Sequence, residues 1–82
     1  MNPPPLRERV RRYVAELGGP CEVADDVDLF GTGALKSMQL MELINHLEDT
    51  YGLQVEERDV MTGRLRSVVA IAALVAERGA WS

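Results

Sequence analysis

Three stretches of this chain repeat apolar residues every three or four positions, and that period allows little except helices packed on one another. Leu6, Val10, Tyr13, Val14 and Leu17 form the first stretch. Leu40, Leu43, Ile44, Leu47 and Tyr51 form the second, and Val68, Ile71, Ala72 and Val75, extended by Leu74, form the third. At about 100° per residue each set falls on one broad stripe, the face that enters a core. The boundaries have chemical causes. Gly18-Gly19-Pro20 stops the first helix through low propensity and a missing N–H donor. Gly52 stops the second, and Arg78 with Gly79 closes the third, which Ser67 begins as N-cap. Pro3, Pro4 and Pro5 stiffen an extended start, with Pro5 suited to a first helical turn and residues 1–4 expected to be disordered.

Between the second and third stretches, Glu56 to Val60 offers one helical turn with Val60 and Met61 turned inward, and Thr62-Gly63 a turn. Leu53-Gln54-Val55 alternates like a strand, but with no second strand to pair it reads as extended loop. The fold class is therefore all-α: a small antiparallel bundle of three long helices plus one short helix. At 82 residues the chain is one domain, 1–82, with a single small core. That core is expected to hold Leu6, Val10, Val14, Phe30, Leu40, Leu43, Ile44, Leu47, Tyr51, Val68, Ile71 and Val75. Trp81 is either a final packing residue or an exposed end.

Composition excludes several classes of function. With 46% hydrophobic and 27% charged residues the chain is an ordinary soluble domain. No apolar run reaches the length of a membrane span. The start carries neither the basic nor the apolar segment of a signal peptide. Cys21 is the only cysteine, so no internal disulfide forms and one thiol makes no metal site. A cytoplasmic protein is the simplest expectation.

Cys21 to Lys36 is a long connection, uncommon in a compact domain unless it works or is pinned. Val23, Val27, Leu29, Phe30 and Leu35 are its expected anchors. Asp25, Asp26 and Asp28 read as a solvated acidic loop, because the glycine and terminal glutamate of an EF-hand are missing. Gly31 and Gly33 make no phosphate cradle, with no Lys-Ser/Thr pair after them and no strand before.

Ser37 stands where this loop gives way to the second helix. Position alone makes it a favoured N-cap, whose oxygen accepts an orphan backbone N–H. The helix that follows adds a second feature. Met38, Met41, Asn45 and Glu48 fall opposite its core stripe, with Glu42 at the edge. Methionine suits surfaces that accept several partners, and two of them beside an exposed serine point to a protein-binding face.

Asp28-Leu29-Phe30, then Gly33-Ala34-Leu35, Ser37-Met38, Leu40-Met41-Glu42-Leu43-Ile44, Leu47-Glu48 and Tyr51-Gly52 together resemble the acyl and peptidyl carrier proteins. The resemblance runs from the first helix to about Glu77. It implies that Ser37 carries 4′-phosphopantetheine, moved from coenzyme A by a phosphopantetheinyl transferase. The thiol of that arm would hold acyl or aminoacyl cargo as a thioester between a loading enzyme and downstream synthase enzymes. Lys36, Met38, Met41, Glu42, Asn45 and Glu48 would form the docking face. The chain departs from the family at Lys36, where an aspartate is usual, and more mildly at Met38, where leucine is usual. The initial methionine and the short tail after the last helix suggest a stand-alone, monomeric carrier. Three acids between Ser37 and Tyr51 are fewer than the resemblance implies for a carrier of fatty-acid synthesis, and this more apolar docking face is closer by analogy to carriers of polyketide or nonribosomal peptide pathways.

The charge pattern agrees with a protein partner. The net charge is −4, but residues 17–63 alone carry −8 against +2 on each flank. An acidic middle repels phosphate backbones and favours basic protein surfaces. Arg7, Arg9, Arg11 and Arg12 lie among acids and lack interleaved aromatic residues, which argues against nucleic acid. Catalysis by Ser37 would need a base within reach. The one histidine, His46, lies nine residues along the same helix, about 13 Å in axial rise, and reads as a boundary residue. No ligand-sized pocket is expected in so short a bundle, and no catalytic residue is assigned. The other class of function is an unmodified helical adaptor that keeps the fold, a reading that Lys36 supports.

Overall fold

A computed structural model describes residues 5–18, 24–33 and 35–79. The sequence expectations for residues 1–4, Cys21, Val23 and Trp81 lie outside them. Four helices follow in order: α1 (Leu6–Gly18), α2 (Ser37–Tyr51), α3 (Glu57–Met61) and α4 (Val68–Arg78). No strand occurs among the described residues, and 53–55 run as loop.

Each long helix forms where its stripe lies and stops where its cap stands. Gly52 takes the left-handed backbone at φ 67° and its N–H returns to Glu48 O, ending α2. Ser67 Oγ accepts the Ala70 N–H at 3.1 Å and starts α4. α1 packs on both α2 and α4. The core gathers Leu6, Val10 and Val14 of α1 with Leu43, Leu47 and Tyr51 of α2 and Val68, Ile71, Leu74 and Val75 of α4. Phe30, Leu40 and Ile44, expected inside, are only half-buried and pack against its edge. Leu29, Leu35, Leu53 and Leu65, all from connections, fill the places left.

The connection before α2 is pinned, with Leu29 and Leu35 buried as expected anchors; of its acids Asp26 is exposed, whereas Asp25 and Asp28 are engaged and not simply solvated. Arg11 makes a two-pronged pair with Asp25 at 2.8 and 3.0 Å, and Arg7 adds a contact at 3.3 Å. The Arg11 hydrogen bond holds the Asp25 carboxyl below its ordinary range. The Val69 N–H donates to Asp25 O at 3.0 Å and the Leu29 N–H to Arg66 O at 2.7 Å. The loop is thus tied to α1 on one side and to the approach and start of α4 on the other.

α3 corrects a second expectation. Val60 and Met61 point outward, and Met61 is 77% exposed. The inward position belongs to Asp59, whose carboxylate accepts Arg78 Nη1 at 2.5 Å and the Glu56 N–H at 2.8 Å. At about 100° per residue, a helix that turns residue 59 inward carries 60 and 61 away.

Candidate functional site

The site starts from how α2 begins. Lys36 occupies the N-cap with extended backbone, φ −104° and ψ 167°, and Ser37 is the first helical residue. The serine is therefore not the cap that its position suggests. Gln39 does that work: its Oε1 accepts the Lys36 N–H at 2.7 Å, and its Nε2 donates to Leu17 O at 2.9 Å. One side chain thus satisfies a donor at the start of α2 and a carbonyl at the end of α1. Lysine has no acceptor to offer. Relieved of capping, the exposed Ser37 hydroxyl has no hydrogen-bond partner among the described residues. Ser67, the other described serine, is buried and committed to Ala70.

Ser37 opens on a groove of about 350 Å³, larger than a short bundle was expected to leave. It exists because α3 turns Val60 and Met61 away from the core, so that they join Phe30, Leu40 and Leu65 as apolar walls. Asp28 and Arg66 are its charged residues. Asp28 Oδ1 accepts the Phe30 and Gly31 N–H groups at 3.2 and 2.9 Å, and Oδ2 lies 4.0 Å from Arg66 Nε.

The face of α2 away from the core carries the residues proposed for docking. Met38 is 83% and Met41 60% exposed, and Lys36, Glu42 and Asn45 are exposed with them. Glu48 is half-buried and accepts the Val55 N–H at 3.0 Å. His46 points elsewhere. Its ring stacks on Tyr13 at 3.5 Å between centroids, meets Tyr51 edge-on and shares a hydrogen bond with Thr50. Burial lowers its pKa below the ordinary 6.5. It closes the α1–α2 seam and is not in the groove.

Gln39 and Arg66 are the residues sequence reading passed over. A glutamine three places after the cap is half of a capping box, a signal available in the sequence. Arg66 has no such signal, because its place depends on the meeting of α2, α3 and the loop.

In arrangement, this is a free hydroxyl at the first turn of a helix, beside an apolar groove with one cation and no histidine. Comparison with curated proteins and with solved structures returns no match. A family model described as a phosphopantetheine attachment site matches residues 8–75. That span covers α2 entirely and most of the chain, and the chain belongs to this family of carrier proteins, whose members hold 4′-phosphopantetheine covalently.

Proposed function

We propose that Ser37 is the attachment residue and that the protein is a carrier whose partner enzymes do the chemistry. The observation that carries this reading is the pairing of a free, exposed Ser37 hydroxyl with a Ser67 hydroxyl buried in a cap, both inside the matched span. The surroundings fit the group. The Ser37 oxygen is unencumbered, the first-turn N–H groups favour an anion there, and Arg66 lines the same groove. In loading, the Ser37 oxygen forms a bond to the pantetheine-side phosphorus as the pyrophosphate bond of coenzyme A breaks, adenosine 3′,5′-bisphosphate leaves, and the hydroxyl proton passes to a base of the transferase. The bound group supplies a terminal thiol that holds acyl or aminoacyl cargo as a thioester.

This chain's own residues present and are recognised. Lys36, Met38, Met41, Glu42, Asn45 and Glu48 form the docking face for the transferase, a loading enzyme and downstream synthase enzymes. Methionines suit a surface read by several partners in turn. The three long helices run antiparallel as a monomeric cytoplasmic bundle, and the apolar docking face suits polyketide or nonribosomal peptide chemistry. No histidine lines the groove, and its one carboxylate, Asp28, accepts the Phe30 and Gly31 N–H groups, which supports a role without catalysis. The test is intact mass after co-expression with a broad-specificity phosphopantetheinyl transferase. A gain of one phosphopantetheinyl group is expected. An unchanged mass would favour the unmodified adaptor.

A further inference from the structure

Arg66 is the cation of the Ser37 groove, and its surroundings hold it ready without using it. Its backbone is fixed on both sides, with its N–H donating to Gly63 O at 3.2 Å and its carbonyl accepting the Leu29 N–H at 2.7 Å. The guanidinium lies over Gly63, where a methyl group would meet Nε at 3.3 Å. Asp28 faces it from the other side, but at 4.0 Å this is an ion pair beyond hydrogen-bond range. Asp28 Oδ1 is already committed to two backbone donors. The guanidinium donors therefore face the groove without a hydrogen bond to any described residue. A planar fork of donors suits phosphate oxygens, and on this exposed side chain the attraction is open to screening by salt.

We propose that Arg66 is the counter-ion of the phosphodiester formed at Ser37, drawn to it in preference to the long contact with Asp28. The proposal rests on attachment at Ser37. It makes Arg66 a positioning residue that limits the directions in which the prosthetic group leaves the helix. Lys36 also carries a positive charge next to Ser37, but it is not part of the groove, and its charge is expected to contribute less.

The experiment compares unloaded and loaded full-length protein by nuclear magnetic resonance, with loading verified by intact mass. The Arg66 Nε–H resonance should shift on loading, the shift should shrink at high salt, and the Ser37→Ala protein treated identically should show none. The phosphorus resonance of the loaded protein should move in Arg66→Gln, return part of the way in Arg66→Lys, and stay nearly in place in Lys36→Gln. Arg66 is exposed and its hydrogen bonds to the fold are made by its backbone, so these variants should keep their helical circular dichroism. A fully loaded protein with an unmoved Arg66 resonance, or a phosphorus resonance that follows Lys36 and ignores Arg66, overturns the proposal alone. A protein that gains no mass overturns it together with attachment at Ser37.

Discussion

Lys36 places a cation where the carriers this chain resembles have an aspartate, and its side chain is exposed at the N-cap of α2. Two unit charges about 4 Å apart interact by about 1 kcal/mol in water. Turning attraction into repulsion toward a basic transferase then costs on the order of 2 kcal/mol, a factor of about thirty in rate. A generic transferase should load Lys36→Asp faster than the wild type at low salt, and the gap should narrow at high salt. Equal rates at low salt would mean the charge is not read. The same helix offers a contrast of faces. Met41 is 60% exposed and Leu47 is 1% exposed. Met41→Glu should leave urea stability within about 0.5 kcal/mol and slow partner turnover, while Leu47→Ala should cost about 2–5 kcal/mol. This contrast was legible in the sequence because helical phase alone separates residues 41 and 47. Arg66 was not, since its role requires a groove walled by residues from positions 28 to 66.

Among the elements, the long helices follow directly from their stripes and caps, and their termini fall at the residues that end the pattern: Gly18, Tyr51 and Arg78. What the stripes could not give is how one element grips another. Gln39 joins the start of α2 to the end of α1 across 22 positions. Gln39→Ala removes two hydrogen bonds, each worth about 0.5–1.5 kcal/mol. Faster amide exchange is expected in the first turn of α2, and unchanged exchange there would remove the clasp from the account of how Ser37 is held. α3 was misread because its five residues give too short a pattern to fix a face, and a buried aspartate is not a core signal. The Arg78 hydrogen bond, then that of the Glu56 N–H, holds the Asp59 carboxyl below its ordinary 3.8. A depressed carboxyl stabilises the fold fully above the ordinary value and loses that contribution as pH falls through the lower folded value. Urea midpoints should therefore drop on acidification below about pH 4, and Asp59→Asn should flatten that dependence. Asp25, paired with Arg11, has the same sign and should retain part of the slope in the variant.

For the whole molecule, the division of labour is simple. Three apolar stripes make a core, the pinned connection and α3 leave a groove beside the Ser37 hydroxyl, and Ser37 lies within the acidic middle of the sequence. The helical class was legible because period and stops agree throughout the chain, and the groove was not, because it is the space left when α3 turns Val60 and Met61 outward. His46, the one histidine, stands at the α1–α2 seam against Tyr13, and on the proposed reading the base that takes the Ser37 proton belongs to the transferase. Fragment-ion mapping of the protein loaded from coenzyme A by a phosphopantetheinyl transferase tests this most directly, with Ser37→Ala alongside. The added group should map to Ser37 alone, and the alanine variant should stay unmodified while keeping its helical signal, since its side chain makes no bond to lose. Modification mapped to Ser67 or to any other residue, or persisting in Ser37→Ala, would contradict the assignment.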